Sequence, residues 1–260
     1  MENKNFCTNP IIKDIYTADP APMVYGDTLY LYVTHDEDEL INDFYTMLDW
    51  RCYSTKDMVN WEQHGPIFSL DDISWADDRA WAPQAIWDEK EKKYMVYWAN
   101  STAENDVAAM YYAHTEDFKT MTEPKLLYER KGIQTIDGDI VYNEENGYYY
   151  LYFKHDEDQT IAYVTSENLT GPYESEPVVV SLATTGVEGS EIYNITGTDQ
   201  WVMIMDEYGT DHFFMQQTSD FENFKPVKSE AYSMEFFPRH GSVVAITDDE
   251  YKALVEKYGK

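Results

Sequence analysis

Three acidic residues and one histidine recur at matching places along the chain, each at the start of a short apolar strand. Asp19 opens "DPAPMVY", Asp137 opens "DGDIVYN", Glu188 opens "EGSEIYN" and His240 opens "HGSVVAIT". Carboxylates that serve only as turn residues have no reason to return at the same phase of a pattern. The recurrence therefore predicts that these four side chains meet in space.

Two carboxyl groups held apart over a pocket can hydrolyse a glycosidic bond, one as the acid and the other as the base. The acid must hold a proton for the leaving oxygen, and burial beside a negative charge raises the pKa of a carboxyl group. On this reasoning Glu188 is the acid, Asp19 activates water, and Asp137 keeps Glu188 protonated. His240 either orients these acids or faces a central ion. The alternative is that all four are hydrogen-bonded polar groups that plug a channel.

The elements that position these residues repeat along the chain. The strand starts Asp19, Ala82, Asp137, Glu188 and His240 are separated by 63, 55, 51 and 52 residues. Each unit has a short apolar strand, an aromatic strand such as "GYYYLYFKHDED", and a polar strand that ends in a turn such as "VTSENLTGPYE". A unit of this length and content is typical of a propeller blade. A sandwich or open barrel also has many short strands, but neither predicts this repeated order.

The repeats predict an all-β fold, a five-bladed β-propeller, as a single catalytic domain over residues 1–260. Four blades are legible, and the fifth combines "HGSVVAIT" with "NPIIKDIY", so that both chain termini close the ring and leave no free sheet edge. The tail "TDDEYKALVEKYGK" predicts a short C-terminal helix with Thr247 as its N-cap. Because the first strand of each blade lines the axis of a propeller, the strand starts are expected to converge.

The composition excludes several classes of partner. The formal net charge is −30, from 49 acidic and 19 basic residues, which disfavours nucleic acids and anionic membranes. The N-terminus lacks a basic-then-apolar stretch and no apolar run is long enough for a membrane span, so we expect a cytoplasmic protein. Cys7 and Cys52 fit no metal-binding spacing and are expected to be reduced structural thiols.

Five motifs resemble the inner-strand signatures of a known enzyme family, in the order in which that family shows them. They read "ADPAP", "WAPQA", "IDGDIV", "VEGSEIY" and "RHGSVV". The chain thus resembles glycoside hydrolase family 43 over nearly its whole length, from about Asn9 to Thr247.

The resemblance implies a five-bladed propeller and inverting hydrolysis of α-L-arabinosyl or β-D-xylosyl linkages. It implies that Asp19 is the general base, Asp137 the modulator of the acid's pKa, and Glu188 the general acid. In an inverting enzyme the base and acid carboxyl groups stand about 6.5–9.5 Å apart. The resemblance also implies that His240 faces a hydrated Ca²⁺ or other cation in the channel, and no organic cofactor is expected.

Two departures from the family pattern leave alternatives open. Gly138 follows Asp137 where the family often has proline, and Asp139 lies two residues along the same strand, so Asp139 is an alternative modulator. The fourth motif reads "EGS" where the family often ends in proline, with Glu191 as a second acid nearby. Glu188 is preferred over Glu191 because it is in phase with the other strand starts.

Four side chains are predicted to bind substrate around the acids. Sugars stack on aromatic rings and form hydrogen bonds with planar polar groups, and the candidates by position are Trp81, Phe237, Arg239 and Tyr208. Trp50, Arg51 and Trp75 are looser candidates. The alternative for each aromatic residue is burial between blades.

The leading hypothesis is an exo-acting hydrolase of small, plant-derived oligosaccharides, an α-L-arabinofuranosidase first and a β-xylosidase next. An endo-acting arabinanase would need an open groove instead of a closed pocket. A propeller that binds carbohydrate without catalysis and a protein-interaction propeller are alternatives of other classes. The sequence does not predict the oligomeric state.

Overall fold

The computed structural model describes residues 11–41, 44–102, 105–210, 212–228 and 239–259. The strands in these ranges are β1 Tyr16–Tyr25, β2 Thr28–Asp36, β3 Asp49–Thr55, β4 Glu62–Ser69, β5 Trp81–Asp88, β6 Lys93–Thr102, β7 Asn105–Thr115, β8 Lys125–Tyr128, β9 Thr135–Asn143, β10 Tyr148–His155, β11 Thr160–Ser166, β12 Val178–Val179, β13 Glu188–Asn194, β14 Trp201–Glu207, β15 His212–Thr218 and β16 Lys225–Pro226. A 3-10 helix, Leu70–Asp72, follows β4, and the α-helix α1 spans Asp248–Tyr258.

The strands form four sheets that are arranged as propeller blades. The blades are β1–β4, β5–β8, β9–β12 and β13–β16, each with four antiparallel strands in sequence order. The first strands of neighbouring blades contact each other, β1 with β5, β5 with β9 and β9 with β13. These four strands therefore line the axis, and the prediction of an all-β propeller with a short C-terminal helix is confirmed.

The predicted fifth blade is wrong for the described residues, which form four blades. Residues 241–246 belong to no strand. The Ser242 hydroxyl donates to the carbonyl of Pro20, and the Val243 N–H donates to Glu191 Oε1 at 2.9 Å. The Val243 N–H is thus bonded to a side chain and not to a neighbouring strand. The other half of the predicted blade, "NPIIKDIY", leads directly into β1, and its first two residues lie outside the described ranges.

The core lies between neighbouring blades. Blades 1 and 2 enclose Trp50, whose ring stacks on Phe68 at 4.0 Å between centroids and meets Trp98 edge-on. Leu151 and Phe153 of β10 are fully buried against blade 2. Burying one such side chain stabilises the fold by roughly 1.5–3 kcal/mol. The aromatic strands are apolar on successive residues because both of their faces are covered.

Thr247 caps α1 as predicted. The N–H of Glu250 donates to Thr247 Oγ1 at 3.2 Å, and the N–H of Thr247 donates to Glu250 Oε2 at 2.7 Å, which is a capping box. Within the described part of the chain, no helix is long and apolar enough to cross a membrane.

Cys52 is a free, buried thiol, as expected. Burial raises its pKa to about 11, so the thiol stays protonated and unreactive. Cys7 lies outside the described residues.

Candidate active site

Each inner strand has a β-bulge at the same place, and these bulges position the site. Strand register shifts occur beside Ala18, Trp81, Ile136 and Glu188. The residue after each of them has a positive φ, and the same holds in the segment after blade 4: Asp19 (52°), Ala82 (46°), Asp137 (57°), Gly189 (57°) and His240 (54°). Aspartate and histidine are enriched among non-glycine residues that adopt this conformation. A bulge re-aims a side chain, which explains how the repeat brings acids to one end of the axis.

Glu188 reaches the site from a different position than expected. Gly189, not Glu188, occupies the bulge position that Asp19 and Asp137 share, so the expected phase of Glu188 is wrong by one residue. A Cβ atom on Gly189 would lie 2.4 Å from the His240 ring. Glycine is required here because the strand and the imidazole approach so closely.

Asp19 is a buried carboxylate with three donors. Its Oδ2 accepts hydrogen bonds from Thr34 Oγ1 at 2.7 Å and from the Ala82 N–H at 3.3 Å, and its Oδ1 lies 2.7 Å from His240 Nδ1. Burial acts to raise the pKa of Asp19, but the charge of His240 and these hydrogen bonds outweigh burial and hold the pKa below its usual value. Asp19 is therefore ionised at neutral pH.

Asp137 is buried beside the same histidine. Its Oδ2 accepts the Gly189 N–H at 3.1 Å and lies 3.8 Å from His240 Nε2. Burial raises the pKa of Asp137 to about 6, and the negative charges of Glu188 and Asp19 add to the rise, while His240 opposes it. Among Asp19, Asp137 and Glu188, Asp137 is thus the acid whose pKa is raised.

Glu188 makes an ion pair that the sequence analysis missed. Its Oε2 lies 2.6 Å from Lys154 Nζ, and its Oε1 lies 3.8 Å from His240 Nε2. Burial acts to raise the pKa of Glu188, but His240 and Lys154 outweigh burial and lower the pKa to about 2. The expectation of a raised pKa is therefore wrong in this structure, because an ammonium group lies closer than any carboxylate.

His240 lies among the three acids and carries a positive charge. Burial acts to lower the pKa of its ring, but Asp137 and Asp19 raise it well above the usual value. Its backbone N–H donates to Asp206 Oδ2 at 3.3 Å. The imidazolium therefore links the carboxyl groups of three blades into one network.

The acids around His240 also fit a cation. Ligand atoms of Glu188, Asp206 and His240 lie within 4.8 Å of one another. Carboxylate oxygens are the ligands that Ca²⁺ prefers, and Asp206 Oδ1 is buried without a hydrogen-bond partner in the described part of the chain. A protonated imidazole has no lone pair to offer. The donors thus fit a cation on the two carboxylates, with His240 beside it and not bonded to it.

Asp139 and Glu191 form a second acid pair on the same two strands. Asp139 Oδ2 accepts the Ile192 N–H at 2.8 Å, and Glu191 Oε1 accepts the Val243 N–H. Neither carboxyl group forms an ion pair within the described ranges, and burial raises their pKa values to about 7 and about 8, respectively. Asp137, in contrast to Asp139, lies within reach of His240 and of the charge of Glu188.

A small axial cavity lies beside Asp19, Asp137 and Glu191. It has a volume of about 20 Å³ and is lined by Asp19, Asp137, Glu191 and His240 among others. This is room for about one water molecule. Water can therefore lie within reach of the ionised Asp19.

Two of the predicted binding residues lie next to the acids. Arg239 Nη1 is 3.1 Å from Asp36 Oδ1, and its guanidinium lies 4.5 Å from the centre of the Tyr45 ring. The Tyr208 ring lies 4.8 Å from Lys154 Nζ. Phe237 lies outside the described residues.

Trp81 is not the open stacking surface that the sequence suggested. Only 7% of it is exposed, and it packs against Met47 and Ala99 with the Arg79 guanidinium 4.9 Å from its ring. It precedes a bulge on the axis, so its side chain turns into the space between blades. Trp50, a looser candidate, is also part of the core, where its Nε1 donates to the Ala80 carbonyl at 2.9 Å.

Lys154, Tyr45 and Asp206 are site residues that the sequence analysis did not find. Lys154 is the one lysine in the aromatic strand "YYYLYFKH" and is only 9% exposed. A lysine within a buried strand requires an acidic partner, and that signal was available. Tyr45 lies in a loop between β2 and β3 with no repeated pattern around it.

The chain matches known glycoside hydrolases. A family model for a "Probable glycosyl hydrolase domain" related to family 43 matches residues 46–252. The chain is 32% identical over 145 residues to a xylosidase/arabinosidase of Bacteroides ovatus, a match that covers 53% of this chain and 43% of that protein. It is 34% identical over 96 residues to xylosidase/arabinosidase 43A of Humicola insolens, a match that covers 34% of this chain and 29% of that protein. The matches thus span less than half the length of these relatives.

A solved structure shares the fold. The crystal structure of a thermostable family-43 glycoside hydrolase superposes with a TM-score of 0.69 at 15% identity, over 85% of this chain and 75% of that one. Because the family model matches most of the chain, and the fold and the named relatives agree with it, the protein belongs to glycoside hydrolase family 43.

Proposed function

We propose that the protein is an inverting, exo-acting hydrolase of α-L-arabinofuranosyl or β-D-xylosyl linkages in plant-derived oligosaccharides. The observation that supports this most is the convergence of Asp19, Asp137 and Glu188 on His240. The two relatives named as xylosidase/arabinosidase support the choice of sugar.

Asp19 acts as the general base. Its low pKa keeps it ionised, so it can take a proton from water as the water oxygen attacks the anomeric carbon. The His240 ring lies between Asp19 and Glu188, with Nδ1 toward the first and Nε2 toward the second. That separation is consistent with the wide spacing of carboxyl groups in inverting enzymes, about 6.5–9.5 Å.

Glu188 acts as the general acid. Its proton passes to the glycosidic oxygen as the bond to the anomeric carbon breaks and the bonding electrons leave with that oxygen. Because Lys154 holds Glu188 ionised, protonation requires that Lys154 gives up its contact with Glu188. Asp156 Oδ1, at 4.0 Å from Lys154 Nζ, can accept the ammonium instead. Asp137 then raises the pKa of Glu188 by its negative charge.

The surroundings of the acids support a pocket for one terminal sugar. Arg239 contacts Asp36 and the Tyr45 ring, and the Tyr208 ring lies against Lys154, the partner of Glu188. A cation in the channel would be held by Asp206 and, while that acid is ionised, by Glu188. It would have to leave Glu188 before Glu188 takes up its proton, and its positive charge would help to keep Asp206 ionised.

The test is hydrolysis of p-nitrophenyl α-L-arabinofuranoside and β-D-xyloside by the wild type, Asp19→Asn and Glu188→Gln. We expect activity in the wild type and losses in both variants, while Asp199→Asn, an exposed acid, retains activity. Proton NMR at early times should show the product anomer opposite to that of the substrate. Equal rates in all four proteins would contradict the catalytic roles, and retention of configuration would contradict inversion.

A further inference from the structure

A large crevice opens between blades 1 and 2. Its volume is about 630 Å³, within the range of about 300–1,000 Å³ that is usual for ligand sites. Its aromatic lining consists of Tyr25, Tyr30, Tyr32, Tyr94, Phe118 and the imidazole of His64. We call this space the blade 1–2 crevice.

The crevice lies at the opposite end of the strands from the catalytic acids. Asp19 lies near the start of β1, whereas Tyr25 is its last residue. Tyr94 lies at the start of β6 and pairs with Trp87 near the end of β5, and Phe118 follows the end of β7. The crevice is therefore separate from the active site.

A continuous series of rings leads from solvent into the crevice. Trp87, Tyr94, Phe118 and Tyr32 contact one another in that order, with ring centroids 5.1, 5.0 and 5.1 Å apart. Trp87 is 44% exposed and Tyr32 is 5% exposed. This series gives an aromatic surface that a ligand can contact from outside.

Blade packing does not require such an opening. Between blades 2 and 3, Leu169 and Tyr173 from the turn after β11 are 5% exposed and close the space against Phe153. Phe118 comes from the corresponding turn after β7 but is only partly buried. Since protein interiors are normally close-packed, the open space calls for an occupant.

The polar groups of the crevice indicate the chemistry of that occupant. Glu116, Asp117 and Lys119 line one edge, beside the hydroxyl-bearing tyrosines. A neutral sugar has apolar C–H faces that stack on rings and hydroxyl groups that bond to carboxylates. The net charge of −30 disfavours phosphate-bearing or other anionic ligands. The tyrosine hydroxyls and the imidazole in the lining suit a ligand that carries hydroxyl groups better than a wholly apolar one.

We propose that the blade 1–2 crevice is a second carbohydrate-binding site, which holds a neutral oligosaccharide of the type that the active site cleaves. The identity of the sugar rests on the proposed function, whereas the site itself rests on the geometry of the crevice. Such a site would keep a substrate chain on the enzyme while its end is cleaved.

The experiment is calorimetric titration of xylotriose, and in parallel α-1,5-arabinotriose, into the Asp19→Asn variant, which does not consume them. We expect two binding sites for one of these sugars. Adding Tyr25→Ala or Tyr94→Ala should leave one site. Tyr25 is 64% exposed, so its removal creates no cavity and should leave folding unchanged. Tyr251→Ala on α1, where the tyrosine is 60% exposed, is the matched control and should keep both sites.

The outcomes separate this proposal from the proposed function. In the otherwise wild-type chain, Tyr25→Ala and Tyr94→Ala should hydrolyse aryl monosaccharide glycosides at the wild-type rate. Hydrolysis together with trisaccharide binding that neither variant alters would overturn the crevice site alone. Crevice binding without any hydrolysis would support the site and contradict the proposed function. Binding of 8-anilinonaphthalene-1-sulfonate that Tyr94→Ala abolishes, without sugar binding there, would overturn the proposal in favour of an apolar ligand.

Discussion

Strands β9 and β13 each contribute two carboxyl groups to the axis, and the two pairs differ in their surroundings. Asp137 and Glu188 lie next to His240, and Glu188 also contacts Lys154. Asp139 and Glu191, which we call the deeper pair, lie two and three residues further along the same strands and accept backbone N–H groups without an ion pair among the described residues.

This comparison shows what decides the charge of a buried acid in this protein. Burial acts to raise the pKa of all four groups. Where a cation is close, as for Glu188, the pKa falls to about 2; where none is close, as for Glu191, it rises to about 8. The pKa thus follows the distance to a cation: Asp137, 3.8 Å from His240, has an intermediate value of about 6, whereas Glu188, 2.6 Å from Lys154, has the lowest.

The largest expected difference is between replacing an acid beside His240 and replacing an acid of the deeper pair. Asp19→Asn removes the proposed base and should lower kcat by about 10²–10⁴-fold. Asp139→Asn keeps an oxygen acceptor for the Ile192 N–H and should lower kcat by less than about 10-fold. Steady-state kinetics on aryl glycosides measure both. Similar losses in the two variants would show that the deeper pair also takes part in catalysis.

The next largest expected effect is on kcat/KM, and it depends on how closely β13 approaches His240. Gly189→Ala would place a Cβ atom 2.4 Å from the imidazole, so the ring or Glu188 must move. A displacement of about 1 Å at a reacting group can cost about 10²-fold, and we expect kcat/KM to fall by about 10–100-fold.

Gly209→Ala is the matched control for Gly189→Ala. Gly209 also has a positive φ, 80°, but nothing lies within 4 Å of an added Cβ atom. This variant should lose about 1 kcal/mol of stability and keep its activity. A loss of activity equal to that of Gly189→Ala would mean that backbone strain, not contact with His240, disturbs the site.

The repeat in the sequence was sufficient to predict the convergence of Asp19, Asp137 and His240. All three occupy the same bulge position in their inner segments. They therefore recur at the same place in the sequence repeat. The register of Glu188 could not be read in this way, because the bulge residue of its strand is Gly189 and the acid lies one position earlier.

The partner of Glu188 and the lack of a fifth blade among the described residues could not be predicted locally, because both depend on contacts between distant segments. Lys154 meets Glu188 across the boundary between blades 3 and 4, and no local pattern specifies that pair. Residues 241–246 have the composition of a strand, but the Val243 N–H donates to the side chain of Glu191. Tertiary hydrogen bonding thus overrides a local preference for strand.

Replacing Lys154 would bring the pKa of Glu188 closer to the raised pKa values of the deeper pair. In Lys154→Met the ammonium no longer stabilises the carboxylate, so the pKa of Glu188 should rise from its lowered value. Glu188 then keeps its proton to higher pH, and the basic limb of the kcat/KM profile should move up by about 1–3 pH units. Lys154→Arg keeps the charge and should leave the limb in place. A limb that does not move in Lys154→Met would contradict Glu188 as the acid whose protonation limits the reaction.

The smallest expected effect concerns the stability contributed by the deeper pair. The unfolded chain releases the protons of Asp139 and Glu191 near their ordinary pKa values of 3.8 and 4.5, whereas the folded chain keeps them until about 7 and 8. Between these limits the unfolded state binds fewer protons, so the free energy of unfolding falls as the pH rises. We therefore expect a lower free energy of unfolding at pH 8 than at pH 5. Urea denaturation at both pH values measures it, and the double variant Asp139→Asn/Glu191→Gln should have a flatter dependence than Asp199→Asn. An unchanged slope in the double variant would mean that the two acids are already ionised in the folded protein, and the contrast with the acids beside His240 would then be lost.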